Sequence, residues 1–282
     1  MSAPTAALTG GANRKKLVRG TLLTLSLLYI GVLLLAPLGG IIWSTFREGI
    51  GVVGETLSRP DVRHAFWLTS IITVVTVVVT AFFGVITSWV LARHEFKGRG
   101  FLNAIVDLPM AVSPVIVGIM AVLLFGAGGW FEPFFAARGI QIVFALPSMI
   151  IVTIFICIPF VIREVAPVLE EIGTHEEEAA QTLGASSLTA FFRVTLPTIK
   201  WGLLYGVALS TARALGEIGA VLIVSGSLQG QTETATLYIF RAIEERQDSS
   251  AYVVALILAG VSILLLIAIE TFKQRQKKEM GK

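Results

Sequence analysis

A single cysteine, Cys157, excludes an intrachain disulfide and leaves no thiolate pair for a metal. It sits inside an apolar run, so it says nothing of redox compartment. Histidine is almost as scarce: His64, His94 and His175 lie in three separate segments, with no HExxH helix of the metalloprotease kind. No GxSxG occurs, and no two carboxylates fall in apolar runs that would face each other, so an intramembrane enzyme has no candidate chemistry here. The phosphate-cradling pattern GxxxxGK[ST] is missing as well. The scarcest commodity is charge. Only 15% of the 282 residues are Asp, Glu, Lys or Arg, against about 25% in soluble domains, while 55% are hydrophobic. The solvent for most of this chain is therefore lipid. A net charge of +3 does not indicate nucleic acid, because the basic residues lie in the gaps between apolar runs rather than on one soluble face.

What is present is a series of apolar runs near the length of roughly 20 residues that a helix needs to cross the hydrocarbon core. Six are predicted: Thr21–Ser44, Ala65–Ala92, Asn103–Phe125, Ile142–Ile162, Pro197–Val224 and Ala251–Glu270. The first follows Arg14, Lys15, Lys16 and Arg19 as a signal peptide would, but it exceeds the usual apolar core of about 7 to 15 residues and reads as a retained helix. Lysines and arginines concentrate in alternate gaps. Arg93, Lys97 and Arg99, then Arg163, Arg193 and Lys200, and finally Lys273, Arg275, Lys277, Lys278 and Lys282 share a side with the basic N-terminal cluster. The other side holds Arg47, Arg59, Arg63, Arg138, Arg241 and Arg246. Because cytoplasmic loops retain positive charge, both termini are expected in the cytoplasm. The fold class expected is an all-α polytopic membrane protein with six transmembrane helices. Residues 1–20 read as a disordered cytoplasmic tail, and residues 21–282 as one membrane domain.

The segment Val165–Leu196 is too long and too helix-forming for a plain loop. Thr174-His175-Glu176-Glu177 has the form of a capping box, and Glu176, Glu177 and Glu178 complement the positive helix start. Ala179, Ala180 and Leu183 form a small, smooth face, Gly184 suits a left-handed C-terminal cap, and Ser186 or Ser187 caps a second short helix. Pro197 then opens the fifth span at a tolerated first-turn position. By these features alone the segment is either an interfacial amphipathic helix without a partner or a docking helix.

Other polar features lie within the apolar runs. Arg213 and Glu217, four apart, are expected to share a helical face and pair, either as a fixed packing device or beside a water-filled path. Pro109 and Pro114 kink the third span, and Ser113 beside them could donate to an oxyanion. Asp107 is placed to meet Lys97 or Arg99. Gly202, Gly206 and Ser210, and then Ala212, Gly216 and Ala220, make ridges that allow close helix approach, in packing or along a path.

Glu178-Ala179-Ala180, then Gly184, then Val194-Thr195-Leu196-Pro197 resembles the EAA signature of ATP-binding-cassette (ABC) importer permeases, with Val194 where isoleucine is commoner. Phe96-Lys97-Gly98-Arg99, Asp107-Leu108-Pro109, Ser113-Pro114-Val115, Phe144-Ala145-Leu146-Pro147 and Ala212–Ala220 extend the likeness to sulfate/thiosulfate permeases of the CysW type, from about Pro60 to Glu270. The resemblance implies a coupling helix within residues 171–197, with Glu178, Ala179, Ala180, Gly184, Leu196 and Pro197 serving the ATPase contact. Ser113, Pro114, Arg213 and Glu217 become translocation-path candidates. It implies a bacterial inner-membrane location and no cofactor on this chain, ATP and Mg being held by separate ATPase subunits. It also implies a second permease of CysT type and an extracytoplasmic sulfate-binding protein. A molybdate-type permease, a passive channel and an assembly or scaffold subunit are the competing readings; a passive channel would have no use for a docking helix.

Overall fold

The computed structural model describes the backbone of residues 9–47 and 49–280, with side chains for 18–47 and 49–271, and every regular element among them is a helix. Four helices are long and apolar enough to cross a bilayer unaided: α1 (Thr9–Arg47), α3 (Pro60–Arg93), α7 (Leu146–Ile172) and α13 (Asp248–Met280). Two bent pairs reach that length together. The first is α4 (Arg99–Ala111) with α5 (Pro114–Phe125), bent by 111°; the second is the helix Ser187–Leu215, which ends in α10 (Leu196–Leu215), with α11 (Gly219–Ser225), bent by 55°. Short helices fill the connections: α2 (Gly51–Ser58), α6 (Glu132–Ala136), α8 (His175–Thr182), α9 (Ser187–Ala190) and α12 (Ala235–Glu244). A π-helical turn, Phe191–Thr195, joins α9 to α10.

Several boundaries depart from the sequence reading. Residues 9–20 continue the first helix rather than forming a disordered tail, because a helix nucleated by the apolar run propagates at one hydrogen bond per residue fixed. Residues 1–8 lie outside the described part. The helix expected over Ile142–Ile162 starts at Leu146 with Pro147 in its first turn and overshoots to Ile172, and the one expected over Ala251–Glu270 runs from Asp248 to Met280. Neither α2 nor α12 was anticipated.

The centre of the fold is α3, α7 and α10, and its packing comes in layers along α3. Val62 and Ala65 meet Ala235, Tyr238, Ala251 and Val254 at one end; Leu68 and Ile72 meet Met149, Val152, Ile156, Val221 and Leu237 in the middle. Val85 meets Val161, Val165, Leu169 and Ile199 near α8. Lipid offers no water to exclude, so contact has to come from close backbone approach. A methyl group on Gly206 would stand 2.9 Å from Val161 Cα, and one on Gly202 would stand 2.8 Å from the Glu164 carbonyl oxygen. The Gly202–Gly206–Ser210 ridge therefore packs within the chain, against α7. Ser210 completes it by meeting Thr80 Oγ1 at 3.2 Å and accepting at its carbonyl from Cys157 Sγ at 3.7 Å.

Candidate functional site

The conspicuous feature at one end is α8, slung between two glycine turns. Gly173 enters it with φ +69° and Gly184 leaves it with φ +90°. Gly184 donates to the Gln181 carbonyl at 2.9 Å and Ala185 to the Ala180 carbonyl at 3.0 Å, the paired bonds of a Schellman turn, so the glycine is required by its left-handed backbone. Beyond it Ser186 caps α9, accepting from Thr189 N at 3.3 Å.

The capping box does not form. Thr174 has helical φ/ψ and gives its hydroxyl to Glu178 Oε1 at 2.6 Å, while Glu177 turns away from the helix start. Glu177 instead takes a forked contact from Arg93, the last residue of α3, with Nη2 to Oε1 at 3.0 Å and Nε to Oε2 at 3.3 Å. Thr195 Oγ1 adds a bond to the same carboxylate at 2.8 Å, and Arg93 Nη1 donates to the Leu169 carbonyl of α7 at 2.7 Å. Side chains of Arg93 and Glu177 are only 7% and 15% exposed. Nothing in the sequence pairs residues 84 positions apart, so Arg93, Glu177 and Thr195 were missed as a unit.

The signature residues divide by face. Glu178 and Ala179 are exposed and Ala180 is half-buried. Leu196 packs on the α7 cluster, while Pro197 is exposed in the first turn of α10. Pro197 has no N–H for the Arg193 carbonyl, and the chain answers with the π turn, in which Leu196 N–H reaches back to the Phe191 carbonyl. The helix from Ser187 to Leu215 is thus continuous through one π turn, rather than starting afresh at the proline. Leu183, Leu188 and Phe192 are largely exposed, Leu183 at 88%.

The four path candidates converge on the two bends. Ser113, extended at ψ 136°, and Pro114 form the elbow of the first pair, and a methyl on Gly219 would lie 3.0 Å from Pro114 Cβ. The second bend is held by Glu217. Its Oε1 accepts from Ala220 N at 2.8 Å, tying down the start of α11, and its carbonyl accepts from Thr236 Oγ1 at 2.8 Å. Arg213 Nη1 lies 2.6 Å from Oε2, an ion pair by distance but off the line of a directed hydrogen bond. The pair forms across the break, because α10 ends at Leu215, not along one continuous helix face. Glu217 is buried at 3% side-chain exposure and Arg213 reaches the surface at 29%; Ser113 is exposed. Asp107 pairs with Arg163, accepting from Nε at 2.8 Å and also from Nη2, whereas Arg99 meets Glu170; α4 packs on α7, which offers Asp107 this arginine in place of the basic loop.

A cavity of about 620 Å³ lies elsewhere, lined by Phe125, Phe135, Gln141, Phe144 and Glu132 among others. Its lining contains no cation, so it is poorly suited to an anion. Among the described residues no group of His, Cys, Asp and Glu could hold a metal ion.

Residues 84–278 match the family described as binding-protein-dependent transport system inner membrane component. The chain is 43% identical over 260 residues to the sulfate transport system permease protein CysW of Synechococcus elongatus, covering 92% of this chain and 91% of the relative. It is 40% identical to the CysW protein of Escherichia coli K12 over 87% and 84% of the two chains. The CysT permease of Salmonella typhimurium is 36% identical over 89% and 90%. In three dimensions it superposes with TM-score 0.77 on a bacterial ABC transporter involved in import of the acidic polysaccharide alginate, covering 95% of this chain and 98% of that one at 18% identity. That last likeness concerns the fold. On a family match spanning most of its length, this chain belongs to the binding-protein-dependent transport system inner membrane components.

Proposed function

We propose that the chain is the CysW-type membrane subunit of a sulfate importer driven by separate ATPase subunits. Its identity to CysW permeases over nine-tenths of its length supports that substrate class more than any other observation. In this reading the two bent pairs are the third and fifth of six spans, and both termini lie in the cytoplasm with α8. A CysT-type permease completes the pore, two ATPases hold ATP and Mg, and an extracytoplasmic binding protein delivers the anion. Thiosulfate is the natural second cargo, being another small dianion.

The ATPase seat is α8 with α9. An apex of bare Leu183 and Leu188 beside Glu178 and Ala179 belongs in a protein groove, because it is joined to spans through glycine turns and carries too much polar surface to lie in lipid. Leu183→Asp is expected to weaken ATPase co-purification at least ten-fold, the effect of placing a charge at a packed hot spot worth about 2 kcal/mol. Pull-down from solubilised membranes measures it, and wild-type recovery would reject the seat.

Anion passage is assigned to the exposed side of the paired bends, where Ser113 and Arg213 reach the surface while Glu217 stays behind as the tie. The deciding experiment is ATP-dependent uptake of labelled sulfate into vesicles carrying the assembled complex, with molybdate as competitor. Uptake that resists molybdate is expected. Molybdate uptake instead would move the chain to the sister specificity, and ATP-independent flux would make it a channel.

A further inference from the structure

Coupling requires that motion of α8 reach the spans, and its backbone is poorly placed to deliver it. The helix packs mainly on α9 and the π turn, and is entered and left through glycines with positive φ. One set of side-chain bonds bypasses both turns. Glu177 accepts from Arg93 on α3 and from Thr195 in the π turn, and the same guanidinium donates to the Leu169 carbonyl on α7. Two elements thus meet α8 at one carboxylate, α3 and the π turn, and α7 joins through the shared guanidinium. The group is largely shielded from water, so its charge-assisted bonds are weakly screened.

We propose that Arg93 is a positioning residue for transport: it ties the coupling helix to the ends of α3 and α7, so that a displacement of α8 is delivered to both. This rests on reading α8 as the ATPase seat. The planar fork is what the role needs, since one guanidinium serves Glu177 through Nε and Nη2 and Leu169 through Nη1. A lysine in its place is a point charge that cannot hold both partners in fixed geometry.

The test uses the assembled complex in vesicles and reads labelled sulfate moved per ATP hydrolysed, only in preparations where the ATPase co-purifies in normal proportion. Arg93→Gln is expected to lower that ratio about ten-fold, within the range of measured coupling energies, and Arg93→Lys to give an intermediate loss. A normal ratio in Arg93→Gln overturns the proposal. Should Arg93→Gln fail to assemble, Arg93→Lys is read alone, and a normal ratio there overturns it equally. The underlying reading fails separately: if Leu183→Asp leaves both ATPase binding and uptake intact, α8 is not the seat, whatever Arg93 does.

Discussion

Gly206→Leu is expected to remove nearly all monodisperse protein from detergent extracts, whereas Gly100→Leu leaves the yield unchanged. The contrast follows from what each new side chain meets. At Gly206 even a methyl would stand 2.9 Å from Val161 Cα and 3.2 Å from the Phe160 carbonyl oxygen, both backbone atoms of α7. Neither can rotate away, so α10 and α7 must separate. Overpacking a tight contact costs about 1–3 kcal/mol and sometimes more, and here the separation spreads to the neighbouring Gly202 contact and to the Thr80–Ser210 and Cys157–Ser210 contacts. At exposed Gly100 nothing lies within 4 Å. Gel filtration of the two variants measures the difference, and equal yields would mean that α7 and α10 do not approach this closely.

Arg241→Ala is expected to destabilise the opposite end of the fold by about 3–5 kcal/mol, the usual cost of stranding one partner of a buried ion pair. Glu233 is 1% exposed and receives Arg241 through two bonds, Nε to Oε1 at 2.6 Å and Nη2 to Oε2 at 3.1 Å. The same guanidinium reaches Asp61 on α3 and Glu245, and lies 5.1 Å from the centre of the Tyr238 ring. Bonding to Glu233 drives the guanidinium even further above its ordinary pKa, so it stays charged at any accessible pH. Removing it leaves the buried Glu233 carboxylate without the guanidinium that holds it. Glu233→Gln in the same chain removes that stranded charge, so the double variant should recover part of the lost thermal stability. Melting curves of the solubilised protein compare the three, and a double variant no better than Arg241→Ala would place the loss in packing rather than charge.

Much of the path from residues to function was open to reading, and the exceptions have physical causes. The apolar runs located every long helix because crossing a bilayer demands length and hydrophobicity that no other element shares. Pro109 and Pro114 were both read as kinks of the third span, yet Pro109 lies inside α4 and the break falls at Ser113-Pro114, where the residue before proline avoids helical ψ; its 111° depends on how α5 seats on α11, which is a tertiary matter. The failure at Thr174 is the same lesson at shorter range. A capping glutamate was available by spacing, but an arginine 84 positions away offered Glu177 a charged fork in a shielded site, and that outweighs a neutral backbone N–H. Arg213 and Glu217 were found as a pair but not as a pair across a gap, because four-residue spacing looks the same whether or not the helix continues. The extra helix α12 left a faint mark, Thr234 in capping position, too little by itself to separate it from the loop.

The π turn at Phe191–Thr195 has a consequence for aim. Each residue of an α-helix advances the azimuth by about 100°, and a π turn inserts one residue into the winding without ending it. Leu188 and the capping Ser186 are thereby rotated by roughly a quarter of a revolution, relative to α10, from where an uninterrupted α-helix would point them. Since α10 is locked to α7 by its glycines, the compass bearing of the docking surface around the span is fixed by a single residue of winding beside Pro197.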